Sequence, residues 1–204
     1  MGNTTPALLQ LIAKANPAQR EYLQDMRDHY LAQFRASNSM LFDRKGVAAG
    51  THDAMDNCID VMKRTDKNAK RIACRKGCAH CCHIPVDITR DEALLLKAAA
   101  ADAGIAIDRD LLRRQAEGEW KSKPLEERRC VFLTAENACG VHDHRPNSCR
   151  KYHVLDDPKQ CDTVKFYGRD VAMLVSIEGE CLQAAAFTAF RSGSMASMLL
   201  EVTE

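Results

Sequence analysis

The sequence predicts a mainly α protein: a single small helical domain with cysteine-rich metal-binding loops and an N-terminal helical extension. Apolar residues recur at helical spacing from Tyr22 to Phe34 and again over 47–65. Ten cysteines occur in the 204 residues, and four of them fall within 74–82. After Asp170 the chain is rich in alanine, methionine and leucine, which indicates one or two further helices.

Signals at the ends of these segments place the N-terminal helices. Asn16 and Pro17 form a cap and first-turn signal, so we expect a helix from there to about Ala36. A loop through Asn38 and Ser39 should follow it. The second helix, over 47–65, then leads towards the cysteines.

Capping signals also order the chain after the first cysteines. Thr89 and Glu92 match a capping box, and the helix that they open should stop at Gly104. Asp108 is suited to cap another helix, which we expect to run to about Trp120.

The remaining segments are shorter. The stretch 130–144 predicts a small hairpin or loops, and Pro146 predicts a short helix that carries Cys149. Gly179 and Gly193 are possible breaks in the C-terminal helices.

This organisation divides the chain into three parts. We expect an N-terminal helical segment over 1–68 and a cysteine-cluster metal-binding domain over 69–165. Residues 166–204 should form C-terminal helices that pack on the same core. A chain of this length can bury roughly 70% of its unfolded surface, so its core does not depend on disulfides.

Composition argues against several classes of partner. The net charge of +1 gives no electrostatic reason to expect nucleic acid or an anionic membrane surface. No apolar run approaches about 18 residues, and the first residues lack the features of a secretion signal. We therefore expect a cytoplasmic protein, where disulfides are rare and clustered cysteines usually bind metal.

Two cysteine blocks carry the candidate site. Thiolates are the ligands that select zinc or iron–sulfur clusters, and Gly77 helps the first block turn around an ion. Histidines lie near both blocks, but we expect any one of them to be a neighbouring or surface group rather than a ligand. Basic residues in or beside the blocks are expected to donate hydrogen bonds to sulfur. The candidate ligands are Cys74, Cys78, Cys81, Cys82, Cys130, Cys139, Cys149 and, with a weaker claim, Cys161. The basic residues are Arg71, Arg75, Lys76, Arg145, Arg150 and Lys151, and the histidines are His80, His83, His142, His144 and His153.

These motifs resemble a known family. The first motif reads Cys74-x3-Cys78-x2-Cys81-Cys82, followed by Ile84-Pro-Val-Asp-Ile-Thr89-x2-Glu92. The later motifs are Cys130-Val-Phe-Leu133, Cys139-Gly-Val141 and Arg145-Pro146-x2-Cys149-Arg150. In this order they are similar to the bacterial YkgJ-type cysteine-cluster family of zinc- or iron-chelating domains, over about residues 70–165. Where many relatives have Tyr or Phe before the Arg-Pro pair, this chain has His142 and His144.

The resemblance implies a small metal-binding domain in which seven of these cysteines, from Cys74 to Cys149, hold the family's cysteine positions. Flagellin lysine methylases carry a related cysteine pattern, and for them an iron–sulfur centre is implied. A cluster-dependent enzyme such as a protein lysine methylase is therefore one alternative function. The chain lacks a glycine-rich nucleotide loop after a strand, however. The spacing of Cys74, Cys78 and Cys81 is shared with radical enzymes that use S-adenosylmethionine, but the sequence does not predict the barrel that those enzymes need.

The choice of metal separates the remaining alternatives. Seven or eight thiolates exceed the four ligands of one zinc ion, and adjacent side chains at Cys81 and Cys82 should diverge. These points favour an iron–sulfur cluster, 4Fe–4S in type, over zinc. A four-iron cluster would use Cys74, Cys78, Cys81 or Cys82, and one thiolate of the second block. A protein held together by structural zinc for interaction with partners is the third class.

Overall fold

The computed structural model describes residues 6–40, 43–75, 77–162 and 171–204, and it is mainly α-helical. The helices are α1 Pro6–Lys14, α2 Pro17–Met40, α3 Arg44–Thr65, α4 Arg90–Asp102, α5 Arg109–Ala116, α6 Leu125–Arg128, α7 Asn147–Arg150, α8 Ile177–Ala189 and α9 Met195–Thr203. The strands are β1 Asp87–Thr89, β2 His153–Val154, β3 Met173–Leu174 and β4 Ser192–Ser194. Short 3₁₀ turns occupy Ala69–Arg71, His80–His83, Trp120–Ser122, His142–His144 and Pro158–Cys161.

The first long helix begins where its capping signal predicts and ends later. The Asn16 side chain accepts from the Gln19 backbone, and the Gln19 side chain accepts from the Asn16 backbone, so the two form a reciprocal cap. The helix α2 continues through Asn38 and Ser39, where we expected a loop. Neither residue is glycine or proline, and each costs only a few tenths of a kcal/mol more than the best helix formers, about 0.7 kcal/mol at most.

The predicted capping box at α4 is confirmed. Thr89 accepts from the Glu92 backbone, the Glu92 side chain accepts in return, and the helix ends beside Gly104, whose φ is +67°. The next helix, α5, ends at Ala116 and not near Trp120. Gly118 follows with a φ of +63°, and this left-handed residue turns the chain away from the helix axis.

The core of the protein consists of apolar clusters between the helices. Leu96 of α4, Leu112 of α5 and Leu199 of α9 have no exposed surface and form one apolar cluster. Helix α8 packs against α2 and α3, and Leu182 and the buried Met55 belong to a second apolar cluster. Burial of each such side chain contributes roughly 1.5–3 kcal/mol, so these contacts fix the helices that surround the cysteine segments.

Two short antiparallel sheets join distant parts of the chain. Ile88 in β1 pairs with Gly193 in β4, and His153 in β2 pairs with Leu174 in β3. The chain therefore breaks at Gly193, as the sequence suggested. Gly179 is not a break: it lies in the first turn of α8, where a Cβ would stand 3.0 Å from the Met55 sulfur.

None of the helices in the described parts of the chain combines the length and the apolar character needed to cross a bilayer.

Candidate metal centre

The first cysteine of the centre is attached to strand β2. The Val154 backbone N–H donates to Cys74 Sγ at 3.4 Å, and the Cys74 thiol lies 3.6 Å from the Tyr152 carbonyl oxygen, to which it donates. Gly77, with a φ of +86°, then turns the chain towards Cys78. A loop near residue 74 and a strand near residue 154 thus meet at this sulfur.

Cys81 and Cys82 lie in the 3₁₀ turn His80–His83, where each is the largest cause of the other's shifted pKa. The neighbouring Cys82 thiol lowers the pKa of Cys81, and Cys81, together with burial, raises the pKa of Cys82. Cys81 is therefore the member of the pair that ionises more readily.

The second block is joined to the first through the backbone. The Cys130 N–H donates to the Cys82 carbonyl oxygen at 2.8 Å. A bridge between Leu133 and Cys139 closes the small loop that the sequence predicts for 130–144. Cys149 lies on the short helix α7, which the sequence also predicts.

Burial controls the ionisation of these thiols. It raises the pKa of Cys130 to about 12 and the pKa of Cys149 well above its ordinary value. Burial likewise raises the pKa of Cys161 to about 12, with the charges of Cys81 and Cys74 as further causes. A cation is therefore needed before these sulfurs become thiolates at neutral pH.

The eight candidate cysteines share one electrostatic neighbourhood, with Cys81 near its middle. A thiolate at Cys81 raises the pKa of cysteines from both blocks, and Cys78 acts in the same way on Cys161. Such pairwise effects require short separations, because charge interactions weaken with distance and are screened by salt. The cysteines whose pKa the Cys81 charge raises are Cys74, Cys82, Cys130, Cys139, Cys149 and Cys161.

Arg145 supplies positive charge to this neighbourhood. Its guanidinium lowers the pKa of Cys74, Cys81 and Cys139, beside the opposing effect of burial. Its Nε is buried and finds no hydrogen-bond partner among the described residues. A buried N–H of this kind fits an anionic sulfur, either a thiolate or a sulfide, as its acceptor.

The donor chemistry therefore fits zinc or iron. The described residues contain no three Cys, His, Asp or Glu side chains already arranged around a common point at metal-binding geometry. Coordination thus requires rotation of thiol groups that already lie close together. Soft thiolates and an unpartnered guanidinium N–H suit zinc or an iron–sulfur centre, whereas hard cations prefer oxygen ligands.

Three of the basic residues expected beside sulfur have carboxylate partners instead. Arg71 pairs with Asp156 at 2.6 Å, Arg150 pairs with Asp56 at 2.5 Å, and Lys151 pairs with Glu180 at 2.6 Å. These side chains reach acidic groups on neighbouring segments because a charge-assisted hydrogen bond to a carboxylate satisfies their donors better than a neutral thiol does. Lys76 lies outside the described residues.

Sequence reasoning missed Arg129. Its guanidinium donates to the carbonyl oxygens of Leu133 and Thr134 at 2.7 and 2.8 Å and lowers the pKa of Cys130, where burial is the larger and opposing effect. The signal available in the sequence was its position next to Cys130.

The histidines occupy mixed positions. His83 Nδ1 lies 3.2 Å from the Ala79 carbonyl oxygen and donates to it, whereas the His142 side chain is 61% exposed. His153 is buried, and burial, the largest cause, lowers its pKa to about 4. These contacts agree with supporting or surface positions for His83 and His142.

Two cysteines lie away from the centre. Cys58 Sγ is 3.8 Å from the Tyr30 hydroxyl, and the Cys181 thiol donates to the Leu23 carbonyl oxygen at 3.6 Å. Both thiols face the contact between α2, α3 and α8.

A family model described as "CxxCxxCC: Putative zinc- or iron-chelating domain" matches residues 73–171. This segment of the chain is therefore similar to that family. All eight cysteines of the centre fall within the zinc- or iron-chelating domain, whereas Cys58 and Cys181 fall outside it. No curated protein and no solved structure matches the chain. Zinc or iron is thus the partner that this family indicates for the cysteine centre.

Proposed function

We propose that the chain holds an iron–sulfur cluster of the 4Fe–4S type at the eight-cysteine centre and serves redox chemistry or metal handling. The observation that carries this proposal is the shared neighbourhood of thiols from both blocks around Cys81, with the unpartnered Nε of Arg145 beside them. A 4Fe–4S cluster takes four thiolate ligands and bears sulfide ions that accept hydrogen bonds.

The ligand set that we favour combines both blocks. Cys74, Cys78 and Cys81 or Cys82 would supply three thiolates, and Cys149 would supply the fourth. Cys81 is suited to this role because its pKa, about 7, makes a thiolate accessible. Cys149 is suited because its short helix packs against α3 and β1.

The chain's own residues have separate tasks in this proposal. The cysteines bind, and the backbone bond between Cys130 and Cys82 keeps the two blocks together. Arg145 offsets part of the negative charge that clustered thiolates create. When bound, the cluster would supply one-electron redox chemistry, and burial of the neighbouring thiols would set how much solvent reaches it.

Structural zinc is a second candidate, favoured by the proximity of Cys81 and Cys82, each of which shifts the pKa of the other. Two neighbouring sulfurs in one tight turn are compatible with one tetrahedral ion. In that case the metal would join the two blocks and support an interaction surface, without redox chemistry.

The deciding experiment is metal and sulfide analysis with absorption and electron paramagnetic resonance spectra, on protein purified without oxygen. Iron with equimolar acid-labile sulfide and a broad visible band supports the cluster. Colourless protein with stoichiometric zinc supports the second candidate instead. Protein with neither metal overturns both, and the Cys58→Ser variant is a control in which the metal content should equal that of the wild type.

A further inference from the structure

The short helix α7, which carries Cys149, begins on a buried carboxylate from another part of the chain. The Asn147 backbone N–H donates to Glu92 Oε1 at 2.8 Å. Glu92 is 2% exposed and lies in the first turn of α4, 55 residues away in sequence. The first N–H groups of a helix lack partners inside it, so this carboxylate satisfies a donor that α7 leaves open.

Glu92 connects this helix to its own capping box. Its Oε2 accepts from the Thr89 backbone N–H at 2.8 Å and from the Thr89 hydroxyl at 3.2 Å. One oxygen therefore fixes the start of α4 while the other fixes the start of α7. The Thr89-x2-Glu92 motif and the Arg145-Pro146-x2-Cys149 motif, far apart in sequence, meet at this carboxylate.

A second connection runs through His52, which lies on α3. His52 Nε2 lies 3.2 Å from Glu92 Oε1, and because a carboxylate only accepts, the imidazole donates through Nε2. Its Nδ1 is then an acceptor, 3.5 Å from a guanidinium nitrogen of Arg150. Glu92 thus reaches both ends of α7, directly at Asn147 and through His52 at Arg150.

The same helix is held on its other sides. The Asn147 side chain donates to the Thr51 hydroxyl at 3.3 Å, and Ser148 donates to the Asp87 carbonyl oxygen at 2.6 Å. The Gln183 amide in turn donates to the Ser148 hydroxyl at 2.5 Å. Cys149 therefore lies on a helix that contacts on several sides hold in place, with Glu92 at its start.

We propose that Glu92 is a positioning residue for the metal centre, because its buried carboxylate fixes helix α7 and thereby the place of the Cys149 sulfur among the other cysteines. This inference rests on the proposed function for its metal, but the placement of Cys149 can be measured without metal. Burial raises the pKa of Glu92, and the donors from His52, Thr89 and Asn147 outweigh that effect, so the pKa lies below its usual value. The carboxylate is thus ionised at neutral pH.

Glutamine at position 92 would preserve the shape of the side chain but would leave it only one acceptor oxygen in place of two. The Glu92→Gln side chain keeps one acceptor oxygen and places an NH₂ group opposite either the Thr89 or the Asn147 N–H. Two donors would then face each other in a buried place, and the start of α7 would separate from α4.

Asp91 provides a matched control. It is 3% exposed, lies one residue away in the same turn of α4, and pairs with Arg44 at 2.6 Å. The Asp91→Asn variant therefore also perturbs a buried carboxylate and the stability of α4. In the structure its two carboxylate oxygens accept from Nε and Nη2 of Arg44, at the start of α3.

The experiment compares wild type, Glu92→Gln and Asp91→Asn in the full-length chain. Metal transfer to a chelator is followed by absorption, and the alkylation rate of Cys149 by a maleimide is followed by mass spectrometry on metal-free protein. We expect metal affinity to fall about 10–100-fold in Glu92→Gln, as for other residues that orient ligands, and to stay near the wild-type value in Asp91→Asn. Alkylation of Cys149 should accelerate in Glu92→Gln alone.

Equal metal affinity and equal Cys149 alkylation in the two variants would overturn the positioning role. If wild-type protein holds no metal, the proposed function fails, but the alkylation comparison still decides whether Glu92 fixes Cys149. A loss of metal in both variants with unchanged alkylation would assign the effect to general stability and would also overturn the inference.

Discussion

The ten cysteines of this chain form two groups with different surroundings. Eight lie within the segment that matches the zinc- or iron-chelating domain, where the charge of Arg145 lowers the pKa of several of them. The other two, Cys58 and Cys181, lie between helices, with Tyr30 and a backbone carbonyl oxygen as hydrogen-bond partners. Burial is the largest cause of a raised pKa at Cys58 and Cys181, as it is at Cys149.

Burial alone therefore does not distinguish a metal centre from ordinary packing. The difference is mutual influence: the eight cysteines come from segments near 74–82, 130–149 and 161, and the charge of Cys81 raises the pKa of six of the others. A single inert cysteine on a helix face needs only an apolar surrounding, whereas a site needs several donors within reach of one ion.

The largest effect should follow replacement of a cysteine in the centre. We expect Cys149→Ser and Cys78→Ser to lose stoichiometric metal and to destabilise residues 70–165, because a serine hydroxyl is a poor ligand for zinc or iron. Apparent binding of structural zinc contributes about 10–16 kcal/mol in small peptides, so the loss should be visible in thermal unfolding.

Metal analysis and amide hydrogen exchange check this prediction. Exchange should rise over residues 70–165 and change less in α2, which packs through its own apolar contacts with α8. Retention of full metal by both variants would contradict the ligand assignment.

A smaller effect is expected from the basic residue at the centre. Arg145→Gln removes a guanidinium whose charge lowers the pKa of Cys81 and whose Nε suits a sulfur acceptor. We expect metal affinity to fall about 10–100-fold with little change in fold, measured by competition with a chelator. Arg71→Gln is the control, because Arg71 bonds with Asp156 and not with sulfur. Equal metal affinity in these two variants would remove Arg145 from the centre.

Much of this organisation could be predicted from the sequence. The capping box at Thr89, the short helix at Asn147–Arg150 and the mainly α fold depend on local signals that the sequence displays directly. Contacts between distant residues could not be predicted in the same way. Neither the bond from Asn147 to Glu92 nor the pairing of Arg150 with Asp56 has a local pattern, because each depends on how whole helices pack.

The same reason explains why the predicted partners of some basic residues were wrong. Proximity to a cysteine in sequence suggested sulfur as the partner of Lys151, but α7 directs it to Glu180 on α8. The 3₁₀ turn that holds Cys81 and Cys82 was likewise missed, because the sequence carries no capping signal for it.

The smallest effect on metal is expected in the second group of cysteines. Cys181 has no exposed surface and packs with Leu8, Leu23 and Ala184, so Cys181→Ala should leave a small cavity between α1, α2 and α8. Loss of a buried group of this size typically destabilises a protein by about 0.5–3 kcal/mol, measurable by urea unfolding. Metal content and chelator competition should remain at wild-type values, because this thiol does not face the centre. If Cys181→Ala lowered metal affinity as much as Arg145→Gln does, packing between the N-terminal helices and α8 would control the centre, and the separation of the two cysteine groups would be wrong.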